Sequence, residues 1–145
     1  MIKLMRFINN RILDNLSSLI NINLEIQSGY KSAAEIVRDK NLKEIFVIYI
    51  QRISEDINEL KSLEKYLSGD KIMISHQLKE FPFKVLSADE ISVLRKCENL
   101  EEKSLKEYEI ILNEEFPVNI KEIFLKQYNR LQEVRLHMRS LEEQY

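Results

Sequence analysis

Glycine and proline are nearly missing from this chain: two of each stand in 145 residues, where average usage would place about ten and seven. Turns that need positive or fixed φ are therefore scarce, which excludes a turn-dense β-sandwich or barrel. Two isolated glycines, Gly29 and Gly69, cannot build the Gly-rich loops of Rossmann or P-loop folds. The lone Cys97 excludes an internal disulfide and points to a reducing compartment, so a cytoplasmic location is expected. Long apolar runs are missing too. The longest, Ile45 to Ile50, is too short for a membrane span or a signal-peptide core. Neither charge sign dominates: Lys plus Arg number 22 against 24 Asp plus Glu, for a net charge of −2. Nucleic acid and membrane are therefore not expected as partners.

What the chain does have is 44% apolar and 32% charged residues, a mixture suited to long helices with one buried stripe and one solvated face. Four such helices are predicted within a single domain spanning 1–145, over about 10–38, 41–68, 88–114 and 117–143, with a connection at 69–87. In the first, Ile12, Leu16, Leu19, Ile26, Tyr30, Ala33 and Val37 follow alternating steps of four and three. Residues 1–13 read as its start or its lead-in. Asn41 with Glu44 is the expected cap of the second helix, and Gly69 its left-handed stop. Ser87 and Glu90 form a capping box before the third helix, and Pro117 suits the first position of the fourth. In the connection, a short helical piece at Ile72 to Lys79 precedes a break at Phe81-Pro82-Phe83. The simplest closure is an all-α, up-down-up-down antiparallel four-helix bundle.

Every apolar seam is broken by polar residues: Asn23 in the first, Asp56 in the second, Glu98 and Glu101 in the third, Gln127 in the fourth. At about 1.5 Å per residue, Asn23 and Asp56 stand about 25 Å from the first turn. Measured from the last turn, Glu98 and Glu101 lie at about 26 and 22 Å, Gln127 at about 17 Å and Glu133 at about 26 Å. If both turns share one end, these side chains make one buried polar layer, joined by Arg52. Carboxylates from facing helices hold hard or borderline cations, so Asp56, Glu98, Glu101, Glu133 and His137 are candidate ligands for iron or manganese. The competing expectation is a polar network that fixes helix register and takes no cofactor.

Histidine is too scarce for a ferritin-type di-iron centre, because His76 and His137 are the only two and no Glu-x-x-His occurs. His76 is expected in the connection as a solvated side chain, and His137 as a half-buried, hydrogen-bonded one. Cys97 lacks a histidine placed to activate it and reads as a structural thiol. Tyr30, Tyr49 and Tyr108 are expected to pack with their hydroxyls bonded. Lys126, Arg130, Arg135 and Arg139 form a basic strip interleaved with acids, expected as a solvated face. Val47 and Ile48 fall outside the seam and need cover from the connection or from a second subunit.

Gly29-Tyr30 with Ala33-Ala34-Glu35, the Asp39 turn with Leu42 and Phe46, Gln51-Arg52, Glu59-Leu60, Cys97-Glu98 with Glu101, Leu105 to Tyr108, and Gln127 through His137 to Leu141 together form a pattern. It resembles the bacterial ferritin-like four-helix-bundle proteins of unknown function, relatives of the rubrerythrin-like domains, over about Ile12 to Leu141. The resemblance implies a ferritin-like fold, often dimeric, without an established activity. The chain departs from that pattern in its connection and lacks the iron-ligand set of ferritins. The expected function is a structural or interaction protein, a homodimer without catalysis and with no identified small-molecule partner. The alternative is an iron- or manganese-binding carboxylate bundle with an oxidase-like or storage role.

Overall fold

A few side chains decide where each helix begins and ends. The computed structural model describes residues 2–69 and 89–144, and within them four helices form: α1 (Ile2–Ile36), α2 (Lys40–Ser68), α3 (Glu90–Leu112) and α4 (Val118–Gln144). α1 begins upstream of the expected Asn10, because no Gly or Pro between Ile2 and Asn10 interrupts propagation. The cap of α2 is Asp39 rather than Asn41. Its extended backbone lets the carboxylate accept from the N–H groups of Asn41 and Leu42 at 2.9 and 3.2 Å, and its charge complements the positive helix end. Gly69 closes α2 at φ 63°, donating its N–H to Lys65 O, as its place in the sequence requires.

At the start of α3 the cap is Asp89, which accepts from Ile91 N–H at 3.2 Å and from the Ser92 hydroxyl at 2.8 Å. Glu90, expected to serve the capping box, instead accepts from Arg38 N–H at 2.9 Å, across the bundle end. Pro117 stands one position before α4, its carbonyl accepting from Ile120 and Lys121 N–H. The expectations for Ile72 to Lys79, His76, Phe81-Pro82-Phe83 and Ser87 lie outside the described residues.

Cross-helix pairs fix the topology. Between α1 and α3 they run from Arg11–Glu114 through Asn23–Tyr108 and Tyr30–Glu101 to Arg38–Glu90. Between α2 and α4 they run from Tyr49–His137 through Asp56–Arg130 to Glu59–Lys126. Both sets are antiparallel. With the tight turns at Val37–Asp39 and Asn113–Pro117, all four neighbouring pairs are antiparallel, and the helices run up, down, down, up. The all-α four-helix bundle is as expected; its path corrects the up-down-up-down order. The physical reason is that α2 ends beside the start of α4 while α3 begins beside the α1/α2 turn, so the two turns sit at opposite ends.

The core is lined by Leu16, Leu19, Ile26, Phe46, Leu60, Leu94 and Phe124, each essentially inaccessible and each worth about 1.5–3 kcal/mol of burial. Phe116 meets Phe124 edge-on at 5.6 Å near the α3/α4 turn. α1 packs closely along α2, and α3 along α4, while α1 against α3 closes the bundle; α2 and α4 barely approach. Val47 and Ile48 remain exposed on α2.

Candidate functional site

Polar seam residues meet at two depths. In the first layer Asn23 Nδ2 donates to Leu19 O and to the Tyr108 hydroxyl, both at 2.8 Å. Tyr108 donates in turn to Gln127 Oε1 at 2.9 Å. Gln127 Nε2 then donates to the Asp56 carbonyl at 3.2 Å and to Glu59 Oε1 at 3.0 Å. One chain of hydrogen bonds thus links all four helices. Both amide NH2 groups have their two protons placed, so this buried layer is saturated on its donor side. Asp56 points its carboxylate to Arg130, 3.0 Å away. Burial still pushes Asp56 up to about 6; Arg130 pulls against that, and Glu59 pushes with it.

About 10 Å nearer the α1/α2 turn, two helical turns on, a second layer is built round Glu101. This side chain is fully buried and accepts a hydrogen bond from the Tyr30 hydroxyl, while its other oxygen, Oε1, has no partner. Burial pushes Glu101 up to about 8, with Glu98 adding to the effect and the Tyr30 hydroxyl and Arg135 opposing it. Burial, reinforced by Glu101, lifts Tyr30 and Cys97 well above their ordinary values, which leaves Cys97 a buried, inert thiol. Tyr49 continues the layer outward: its ring lies 6.0 Å from Tyr30 and its hydroxyl bonds His137 Nδ1. His137 is exposed apart from that bond, rather than half-buried.

The single layer expected from the sequence is therefore two. Asn23, Asp56 and Gln127 come together, while Glu98 and Glu101 belong to the other depth, because their distances were measured from a turn at the opposite end. Arg52 and Glu133 are exposed, and neither enters a buried layer. Each metal-ligand candidate has a different neighbour: Asp56 faces Arg130, Glu98 faces Arg139 at 3.3 Å, Glu101 faces Tyr30, and His137 faces Tyr49. Among the described residues no group of three or more His, Cys, Asp or Glu lies close enough to hold a metal ion.

Sequence reasoning missed the part played by the basic strip of α4. It is not simply solvated: Lys126 reaches Glu59, Arg130 Asp56, Arg135 Glu102 and Arg139 Glu98, at 3.0 to 3.6 Å. The signal was present in the spacing, since 126 and 130 share one helical face and 135 and 139 another. Tyr108, expected only to satisfy its hydroxyl, proves to be the link between the two amides. Its donor-acceptor position could not be found without knowing which helix α3 faces.

Where α2 and α4 diverge lies a cleft of about 340 Å³, with Tyr49, Arg52 and Ile53 on one wall and Arg130, Leu131 and Val134 on the other. Asn23 and Gln127 form part of its floor. The Arg52 guanidinium lies over the Tyr49 ring, 5.8 Å from its centroid.

Comparison with solved structures bears on the fold. A two-domain protein from Anabaena variabilis, containing DJ-1/ThiJ/PfpI-like and ferritin-like domains, matches this chain with a TM-score of 0.82 at 15% sequence identity. The match covers 94% of this chain but only 40% of that one. At that identity the likeness concerns architecture: the chain has a ferritin-like fold. No protein-family model matches the sequence, and no curated protein does.

Proposed function

We propose that this chain is a structural or interaction protein on a ferritin-like bundle, acting as a cytoplasmic homodimer without catalysis. Kinship with the rubrerythrin-like domains belongs to the same proposal. The observation that supports it is the Asn23–Tyr108–Gln127 chain, in which each donor ends on a protein acceptor. Groups engaged in this way set helix register and are not themselves free to act on a substrate. Val47 and Ile48, beside Lys40, Lys43 and Glu44, are the contact face of the proposed dimer. Sedimentation velocity tests this: the wild type runs as a dimer and the Val47→Lys/Ile48→Lys double variant as a monomer. A monomeric wild type removes the dimer from the proposal.

A second reading, binding of iron or manganese, draws on Glu98 and Glu142, two carboxyl groups near enough to Glu101 for both to push its acid upward. Elemental analysis of protein grown in iron- or manganese-rich medium separates the two readings. Stoichiometric metal that survives desalting, and is lost in Glu98→Gln, favours the carboxylate-bundle role.

A further inference from the structure

We infer that the cleft between α2 and α4 is a binding site for a small organic monocarboxylate with an apolar body. The inference stands apart from the structural reading above, which assigns no ligand. The cleft opens where the two backbones barely approach and polar side chains, Asp56 and Glu59 against Lys126 and Arg130, face one another. Its volume of about 340 Å³ lies at the small end of the range for small-molecule pockets. Ile53, Leu131 and Val134 give it apolar walls, the first two buried.

The charge at the mouth selects the ligand. Lys126 and Arg130 are already held by Glu59 and Asp56. Arg52 forms no ion pair among the described residues; instead its guanidinium lies over the ring of Tyr49, whose hydroxyl is tied to His137. A planar fork oriented in this way meets a carboxylate through two parallel hydrogen bonds. The floor cannot anchor a second anionic group, because the NH2 protons of Asn23 and Gln127 are spent within the protein. The ligand therefore places its carboxylate at the mouth and its apolar part inward. Glu55, Asp56 and Glu133, which also line the cleft, add a repulsion that grows with each negative charge on the ligand, so a single carboxylate is favoured over polyanions such as phosphate esters.

Calorimetric titration with benzoate, benzyl alcohol, benzylamine and inorganic phosphate, at matched ionic strength, tests this on the full chain. Benzoate is expected to bind saturably and about tenfold more tightly than benzyl alcohol, with benzylamine and phosphate silent. Arg52→Gln, at an exposed position that leaves the core intact, reduces benzoate affinity about tenfold. Val134→Phe, which fills the cleft, abolishes binding in a protein whose helical circular dichroism is unchanged. Lys103→Gln on α3 binds like the wild type. Absence of saturable benzoate binding up to about 10 mM, equal binding of benzylamine, or unchanged affinity in Arg52→Gln overturns the inference.

Discussion

The two polar layers of this bundle look alike in sequence and differ in their chemistry. Around Tyr108 the linked amides and hydroxyl are neutral and every amide proton has an acceptor, with the Asp56 carboxylate held at the edge by Arg130. Around Glu101 a carboxyl group sits fully buried with one oxygen bonded to Tyr30 and the other unpartnered. A saturated neutral network loses free energy when any member is removed, because the remaining partners stay buried and unpaired. A buried acid is itself a cost at neutral pH, because the folded state must keep a proton that the unfolded chain releases, and a neutral isostere relieves that cost. A polar interruption in a helix seam is therefore informative only once its partners are known.

The largest effect expected from this difference is at Gln127. Gln127→Ala opens a cavity and strands the Tyr108 hydroxyl, so it should destabilise by about 3 kcal/mol in urea denaturation. A loss below about 1 kcal/mol would mean that the network relaxes or admits water, and the contrast between the layers would collapse.

Glu101→Gln should move the other way, gaining about 1–3 kcal/mol at pH 7. The sign follows from linkage. The folded value of about 8 lies above the ordinary 4.5, so between the two the folded state holds the extra proton and stability falls as pH rises. Stability that Glu101 contributes below about 4.5 is gone above about 8. Thermal melts should accordingly show a wild-type melting temperature declining from pH 5 to pH 8, and a flatter profile in Glu101→Gln. Identical slopes in the two proteins would place the pH dependence elsewhere.

The first layer carries a smaller version of the same effect at its edge. Asp56 is raised from 3.8 to about 6, so its contribution declines between those values, and Asp56→Asn should flatten that window alone. The windows overlap between about 4.5 and 6, so flattening confined to below about pH 6 in Asp56→Asn but reaching about pH 8 in Glu101→Gln would sharpen the comparison; the same window in both variants would show that the layers titrate together. The smallest effect is expected for Glu98→Gln, within about 1 kcal/mol in either direction, since its partner Arg139 is largely exposed and the pair is screened. A loss of several kcal/mol there would reveal a role in packing α3 against α4 beyond the ion pair.

Much of the fold was legible from local chemistry. Gly69 had to end α2 because only a left-handed residue closes that turn without strain, and the apolar seams of all four helices are the faces found buried. The caps were less legible: Asp39 took the place expected for Asn41, and Asp89 caps α3, since several polar residues near a helix start compete and the backbone path selects one. The candidate site was legible in its members and not in its arrangement. Asn23, Asp56 and Gln127 do meet, yet Glu98 and Glu101 were assigned to their layer by counting from a turn that lies at the far end.

By itself the sequence determined the number of helices, their buried faces and the presence of polar groups among them, because periodicity and near-absence of Gly and Pro act within a few residues. Only the tertiary structure decided which polar groups meet. Helix direction depends on whether the two tight turns share one end of the bundle or sit at opposite ends, and reversing one helix exchanges the partners of every residue along it. The tertiary arrangement also set α2 apart from α4 and so opened the cleft, a spacing between segments far apart in the chain that no local signal specifies.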